Sequence, residues 1–236
     1  MTRRRLPIIA LLVAMGGAFL APPPCRATSL TPLNLADLVR NAPDIVIGTV
    51  SAVRQGTAGN LPYTEVELAV TDTLRGSAKK TLTFRSMGLQ TPMAPVAGRV
   101  TVGRVPGVAT YEVGEQVLLF LGTTSTRGFR APVGLQQGKF SYGTGSVRNE
   151  FQNAGLFAVS LANHTLNEKE QAMVTTPKGA LDSATFVGFV RRAVTENWWP
   201  QQGGAERPGP VPKKTYKKVG TPDGTPTAVK GTNNAN

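Results

Sequence analysis

The chain is nearly without thiol and imidazole chemistry: its 236 residues include one cysteine, Cys25, and one histidine, His164. A single cysteine excludes an internal disulfide framework, and one histidine with one thiol cannot furnish a zinc cluster of Cys and His ligands. Aromatic residues make up only 6% of the chain, yet Val, Leu and Ala are plentiful enough for one core. Length and composition bound it at one or two small domains and exclude a collagen-like or wholly disordered chain. Long apolar runs are scarce. The most extended, Leu6 to Ala21, is interrupted by Pro7, Gly16 and Gly17 and falls short of the roughly 20 residues a membrane-crossing helix needs.

Acidic residues are also few, 14 against 26 basic, giving a formal net charge of +12. The excess is spread along the chain. Residues 1–27 hold four Arg and no acid, residues 28–199 hold sixteen basic and twelve acidic groups, and residues 200–236 hold six and two. A body at +4 is an ordinary solvated surface, so the high net charge does not argue for a nucleic-acid groove.

Arg3, Arg4 and Arg5 ahead of the Leu6–Ala21 run, with Ala27 following, have the order of a secretory signal peptide. Cleavage is expected after Ala27, with Cys25 three residues before the cut, so that the mature chain starts at Thr28 without a thiol. Pro22, Pro23 and Pro24 argue against lipidation of Cys25. Thr2 to Leu6 partly matches a twin-arginine signal, from which Pro7 departs; a Sec-type signal is preferred and the export route stays open. The expected location is periplasmic or secreted.

The expected fold class is mainly β: a small five- to six-stranded OB-like barrel with one N-terminal and one C-terminal helix and a disordered tail. Leu33 to Arg40 reads as a helix capped by Asn34 and closed by Asp37, and Pro43 turns it into a strand over 44–53, bent at Gly48. Residues 63–74 alternate, with Val66, Leu68, Val70 and Leu74 inward. Thr81 to Arg85 and Gln116 to Leu121 complete the clear strands, and 128–133 and 138–142 are two shorter ones. A long loop with one short strand at 99–102 fills 86–110. A second helix spans 181–197, capped by Asp182 or Ser183. The domain division is a signal at 1–27, a barrel at 28–160, a connector and packing helix at 161–200, and a disordered basic Pro/Gly/Lys tail at 201–236.

The order Asp44-Ile45-Val46-Ile47-Gly48-Thr49-Val50, Tyr63-Thr64-Glu65-Val66, Leu74-Arg75-Gly76, Glu112 to Leu121 and Gln137-Gly138-Lys139-Phe140 resembles that of uncharacterised exported bacterial proteins. More remotely it is similar to the netrin-like domain of tissue inhibitors of metalloproteinases. The resemblance covers residues 34–142 and implies an OB-type barrel. It would also imply an N-terminal cysteine that chelates a protease zinc, pinned by disulfides. Thr28 occupies that place here, so the inhibitory mechanism is not carried over. An α-amine alone can ligate zinc, which keeps an inhibitor or accessory of an exported metalloprotease as an alternative.

Candidate chemistry is sparse. His164 lies in the polar stretch Asn163-His164-Thr165 with no Gly-x-Ser-x-Gly elbow elsewhere, so it reads as a surface loop residue. Glu65 and Glu67 share a strand face and could serve as a hard-cation or acid–base pair, but the alternation of their strand accounts for them as its wet side. Gly143-Thr144-Gly145 lacks a phosphate-loop lysine. The candidate partner contacts are Thr28 at the expected mature N-terminus, Gln136, Gln137 and Lys139 at a barrel turn, and Trp198 and Trp199 as an aromatic patch. Lys213 to Lys218 in the tail could hold an anionic polymer by charge, though a solvated tail accounts for them. The expected function is a non-catalytic binding module of the bacterial envelope that engages a protein or envelope polymer, without cofactor, metal or nucleic acid. An enzyme with an unrecognised site ranks last.

Overall fold

The computed structural model describes residues 31–77, 79–91 and 105–201. The expected signal segment with Cys25, Thr28, the short strand over 99–102 and the tail beyond Gln201 lie outside the described residues.

The first element, α1 (Leu35–Asn41), begins in a reciprocal cap. Asn34 Oδ1 accepts from the Asp37 N–H at 3.0 Å and Asp37 Oδ2 accepts from the Asn34 N–H at 3.3 Å. Two of the four donors orphaned at a helix start are thereby satisfied. Leu35, Leu38 and Val39 are fully buried, and Pro43 ends the helix.

Two long strands follow, β1 (Asp44–Ala58) and β2 (Leu61–Arg75), then β3 (Thr81–Met87) and β4 (Gln116–Leu121). A 3-10 turn (Leu135–Gly138) leads into β5 (Lys139–Gly143) and β6 (Ser146–Asn149). The chain then forms α2 (Glu168–Val174), β7 (Leu181–Asp182) and α3 (Ser183–Thr195). All seven strands belong to one antiparallel sheet in the order β3-β2-β1-β4-β5-β6-β7.

Among the described residues this is a mainly β fold with three helices, but with seven strands rather than five or six, and its ladder does not close. The stretch expected as a strand over 128–133 makes only isolated bridges: Phe129 pairs in parallel with Arg85, and Pro132 pairs antiparallel with Leu121. The Arg130 N–H donates to the Arg85 carbonyl at 2.7 Å, and the Val133 N–H to that of Phe120 at 2.8 Å. Pro132 contributes no amide, which limits how far this ladder can run.

The sheet separates two cores. On one face Ile45, Ile47, Leu118, Phe120 and Phe140 pack against α1 and α3, with Phe186, Phe189 and Trp199 from the C-terminal side. On the other, Val46, Val50, Val66, Leu68, Phe84, Val117, Leu119 and Tyr111 pack together. Val46, Leu68, Phe84 and Leu119, from four different strands, share this second core. The first half of β1 and nearly all of β4 are thus buried on both faces, which explains their unbroken apolar runs. Each fully buried Leu or Phe contributes about 1.5–3 kcal/mol.

Gly48 lies where β1 shifts register against β2. A Cβ there would sit 2.4 Å from the Ala69 carbonyl oxygen, so the close approach requires glycine.

Candidate functional site

The barrel-turn candidates occupy one region, and their side chains bond inward. Gly134, with φ of 62°, opens the turn that carries Gln136, Gln137 and Lys139. Gln137 is buried, and its amide spans the N-terminal segment: Oε1 accepts from the Leu33 N–H at 2.7 Å, and Nε2 donates to the Thr31 carbonyl at 3.1 Å. Gln136 reaches the other way. Its N–H donates to the Gly107 carbonyl at 3.3 Å and its Nε2 to that of Val108 at 3.4 Å. A single turn therefore fastens the N-terminal segment on one side and the 107–108 loop on the other.

Lys139 is 6% exposed. Its ammonium lies 2.6 Å from Glu115 Oε1 and 2.9 Å from Oε2, donates to the Thr110 carbonyl at 2.5 Å, and sits 5.0 Å from the Tyr111 ring centroid. Burial of a charged lysine is sustained by those partners together. Tyr111 is 2% exposed; burial, reinforced by the nearby Glu115 carboxylate, pushes its phenol far above the usual tyrosine range. Its hydroxyl and that of Ser86 are buried without a hydrogen-bond partner among the described residues.

Below this turn, Asn149 and Asn153 form a buried amide pair. Asn149 Oδ1 accepts from the N–H groups of Asn153 and Phe151, and Asn153 Oδ1 accepts from that of Asn149. Asn153 Nδ2 donates to the carbonyls of Val147 and Gly179, and Asn149 Nδ2 to that of Gln137. Asn153 has a φ of 59°, a conformation asparagine tolerates better than most residues.

Trp198 and Trp199 lie elsewhere, at the end of α3. Trp199 is buried against Phe189. Trp198 is half-buried and stacks on His164 at 4.0 Å and 15°, while the Arg192 guanidinium lies 4.9 Å from its ring centroid. Its indole N–H donates to Glu196 at 2.6 Å. The structure brings Gln136, Gln137 and Lys139 together and keeps the tryptophans apart as a second cluster.

Glu65 and Glu67 are tied to cations on the sheet's wet face. Arg85 Nε donates to Glu65 at 2.8 Å, and Arg54 Nη1 donates to Glu67 at 3.2 Å. Hydrogen bonds from Arg54 and then Ser51 hold the Glu67 carboxyl below its ordinary value. Among the described residues, no group of three or more His, Cys, Asp or Glu is placed to hold a metal ion. No helix among them is long and apolar enough to cross a membrane.

No family model, curated protein or solved structure matches the chain. The site must therefore be read from its own chemistry. Sequence reasoning missed Glu115 and Thr110 as partners of Lys139, and Asn149 and Asn153 as a pair. A lysine at the start of a core strand was the only signal of the first; the second pair lay in a stretch without periodicity.

Proposed function

We propose that this chain is an exported, non-catalytic binding module of the bacterial envelope, built on an OB-type barrel and engaging a protein or envelope polymer. The bridges from Arg85 to Phe129 and from Pro132 to Leu121 support the barrel reading. They lead from β3 through 129–132 to β4 and back to β1, the path of a partly open five-stranded barrel. The module leaves the cytoplasm by the signal ending at Ala27, loses it, and starts at Thr28.

One observation carries the binding reading: the ionisable groups nearest to candidate chemistry are already bonded to protein. Glu65, Glu67 and Lys139 each hold a counter-charge, and the apolar face beneath them is packed with Val66, Leu68, Phe84 and Leu119. A general acid or base needs a free proton or lone pair within reach of a reacting atom. These groups instead spend their valences on the fold, which favours recognition at the surface.

The alternative, an inhibitor or accessory of an exported metalloprotease, draws support from Gln137. Its bonds to Thr31 and Leu33 anchor the chain three residues after the expected terminus. A pull-down with the native exported protein, paired with intact-mass measurement of its N-terminus, tests both. Capture of a stoichiometric metalloprotease by a chain starting at Thr28 supports the alternative; binding retained after removal of residues 28–30 rejects it. Turnover of an envelope substrate by the purified protein overturns the non-catalytic reading.

A further inference from the structure

The β2–β3 ladder fixes which way each backbone group of the edge strand points. The Val70 N–H donates to the Lys80 carbonyl at 2.9 Å, and the Gly88 N–H to that of Pro62 at 2.9 Å. With the register Leu68 to Leu82, Val66 to Phe84 and Thr64 to Ser86 between them, the even-numbered residues of β3 face β2. The odd-numbered ones face outward. Arg85 shows this directly, since its carbonyl accepts from Arg130. Thr81 and Thr83 point the same way, and among the described residues their N–H and C=O groups have no hydrogen-bond partner. Both residues are exposed, and a small cavity lined by Val46, Val70, Leu82 and Lys79 lies at the foot of the strand.

We propose that the Thr81–Thr83 edge is a docking site for an extended acidic segment of a partner protein, taken up by strand addition. The inference rests on the binding-module reading and names its surface. Unpaired edge groups are a ready template for another strand. Charge selects the occupant. Lys79 and Lys80 precede the open stretch, and Arg127 lies two residues before the Phe129 bridge at its other end. All three are exposed and form no salt bridge among the described residues. Carboxylates flanking a short uncharged centre would meet these cations while the centre pairs with Thr81 and Thr83. A second copy of the chain fits poorly: an antiparallel self-pair centred on Leu82 sets Lys79 of each copy opposite Arg85 of the other, and like charges directly opposed are destabilising.

The test titrates an acetylated, amidated peptide, Glu-Glu-Val-Thr-Val-Thr-Val-Glu-Glu, into the isotope-labelled protein and follows amide hydrogen exchange. The expected result is that the Thr81 and Thr83 amides exchange rapidly in the free protein and become protected in the complex. Lys79→Glu with Lys80→Glu should weaken binding at least tenfold, as should replacing the peptide's glutamates by lysines. These surface changes leave the fold intact, whereas Thr83→Pro removes one outward donor and should weaken binding only if the variant stays folded. Protection of both amides before peptide is added, in a monomer or in a sedimenting dimer, overturns the proposal; so does binding that protects neither amide, or no binding. Protection accompanied by cleavage of the peptide upholds the docking edge while overturning the non-catalytic reading.

Discussion

Asp44 and Arg130 form an ion pair across the open side of the sheet, joining the first residue of β1 to the bridging segment between β4 and β5. Arg130 also donates through Nε to the Gly122 carbonyl at 2.7 Å and through its backbone N–H to Arg85. One residue thus ties β1, the end of β4 and β3. Its side chain is 11% exposed and that of Asp44 27%, so solvent screens the pair only in part. Arg130→Ala should cost about 2 kcal/mol, below the roughly 3–5 kcal/mol of a fully buried pair because solvent reaches Asp44. Urea unfolding of the two single variants and the double variant measures the coupling; values that simply add would show that the pair does not fasten the sheet.

Lys139→Ala should be more damaging than Lys139→Met. Both strip Glu115 and the Thr110 carbonyl of their donor, but methionine keeps the stem packed beneath Tyr111. A loss of about 3 kcal/mol is expected for alanine. Combining Lys139→Met with Glu115→Gln should recover part of it, because no carboxylate is then left without a counter-charge. Equal midpoints for Lys139→Met with and without Glu115→Gln would count against this account.

Gly48→Ala places a methyl 2.4 Å from the Ala69 carbonyl oxygen and 2.8 Å from the Leu68 side chain. The backbone atom cannot yield without moving β2. Overpacking of this kind costs about 1–3 kcal/mol, whereas Gly143→Ala, with nothing within 4 Å of the added carbon, should be close to neutral. Thermal unfolding of the two variants distinguishes the positions.

Asp182 caps α3, and hydrogen bonds from the Thr185 hydroxyl and backbone N–H hold its carboxyl below the ordinary value. A carboxyl with a depressed folded-state pKa lends stability that is fully present above its unfolded value, near 3.9, and is lost as pH falls through the folded one. Glu67, lowered chiefly by Arg54, acts in the same direction. Asp182→Asn retains a capping oxygen but cannot titrate. Its urea midpoint should fall less steeply than that of the parent between pH 5 and pH 2, the window set by these depressed carboxyls; parallel curves would reject the assignment.

The elements legible in the residues were those with a strong period or a reciprocal cap. Asn34 and Asp37 marked α1, the Val66–Leu68 alternation marked β2, and Gln116 to Leu121 was read to the residue. β6 carries one buried apolar residue, Val147, and β7 spans two residues, too few to show any period. Asn167 and Glu170 form a capping box as clear as the first, but α2 lasts seven residues and buries only Met173 among its apolar positions, so the stretch read as connector. The site was harder to read. Gln137 stood out as polar beside a core strand, yet the groups it bonds lie far away in sequence, where spacing carries no information.

That separation has a temporal side. The bonds from Gln137 to Leu33 and Thr31 span 104 and 106 residues, and Leu35 donates to the carbonyl of Leu156. When the chain emerges from one end, its opening residues have no place to dock until residue 137 has followed them, and α1 cannot complete its seating before residue 156. Residues 31–35 thus gain these partners only after more than a hundred further residues have been made.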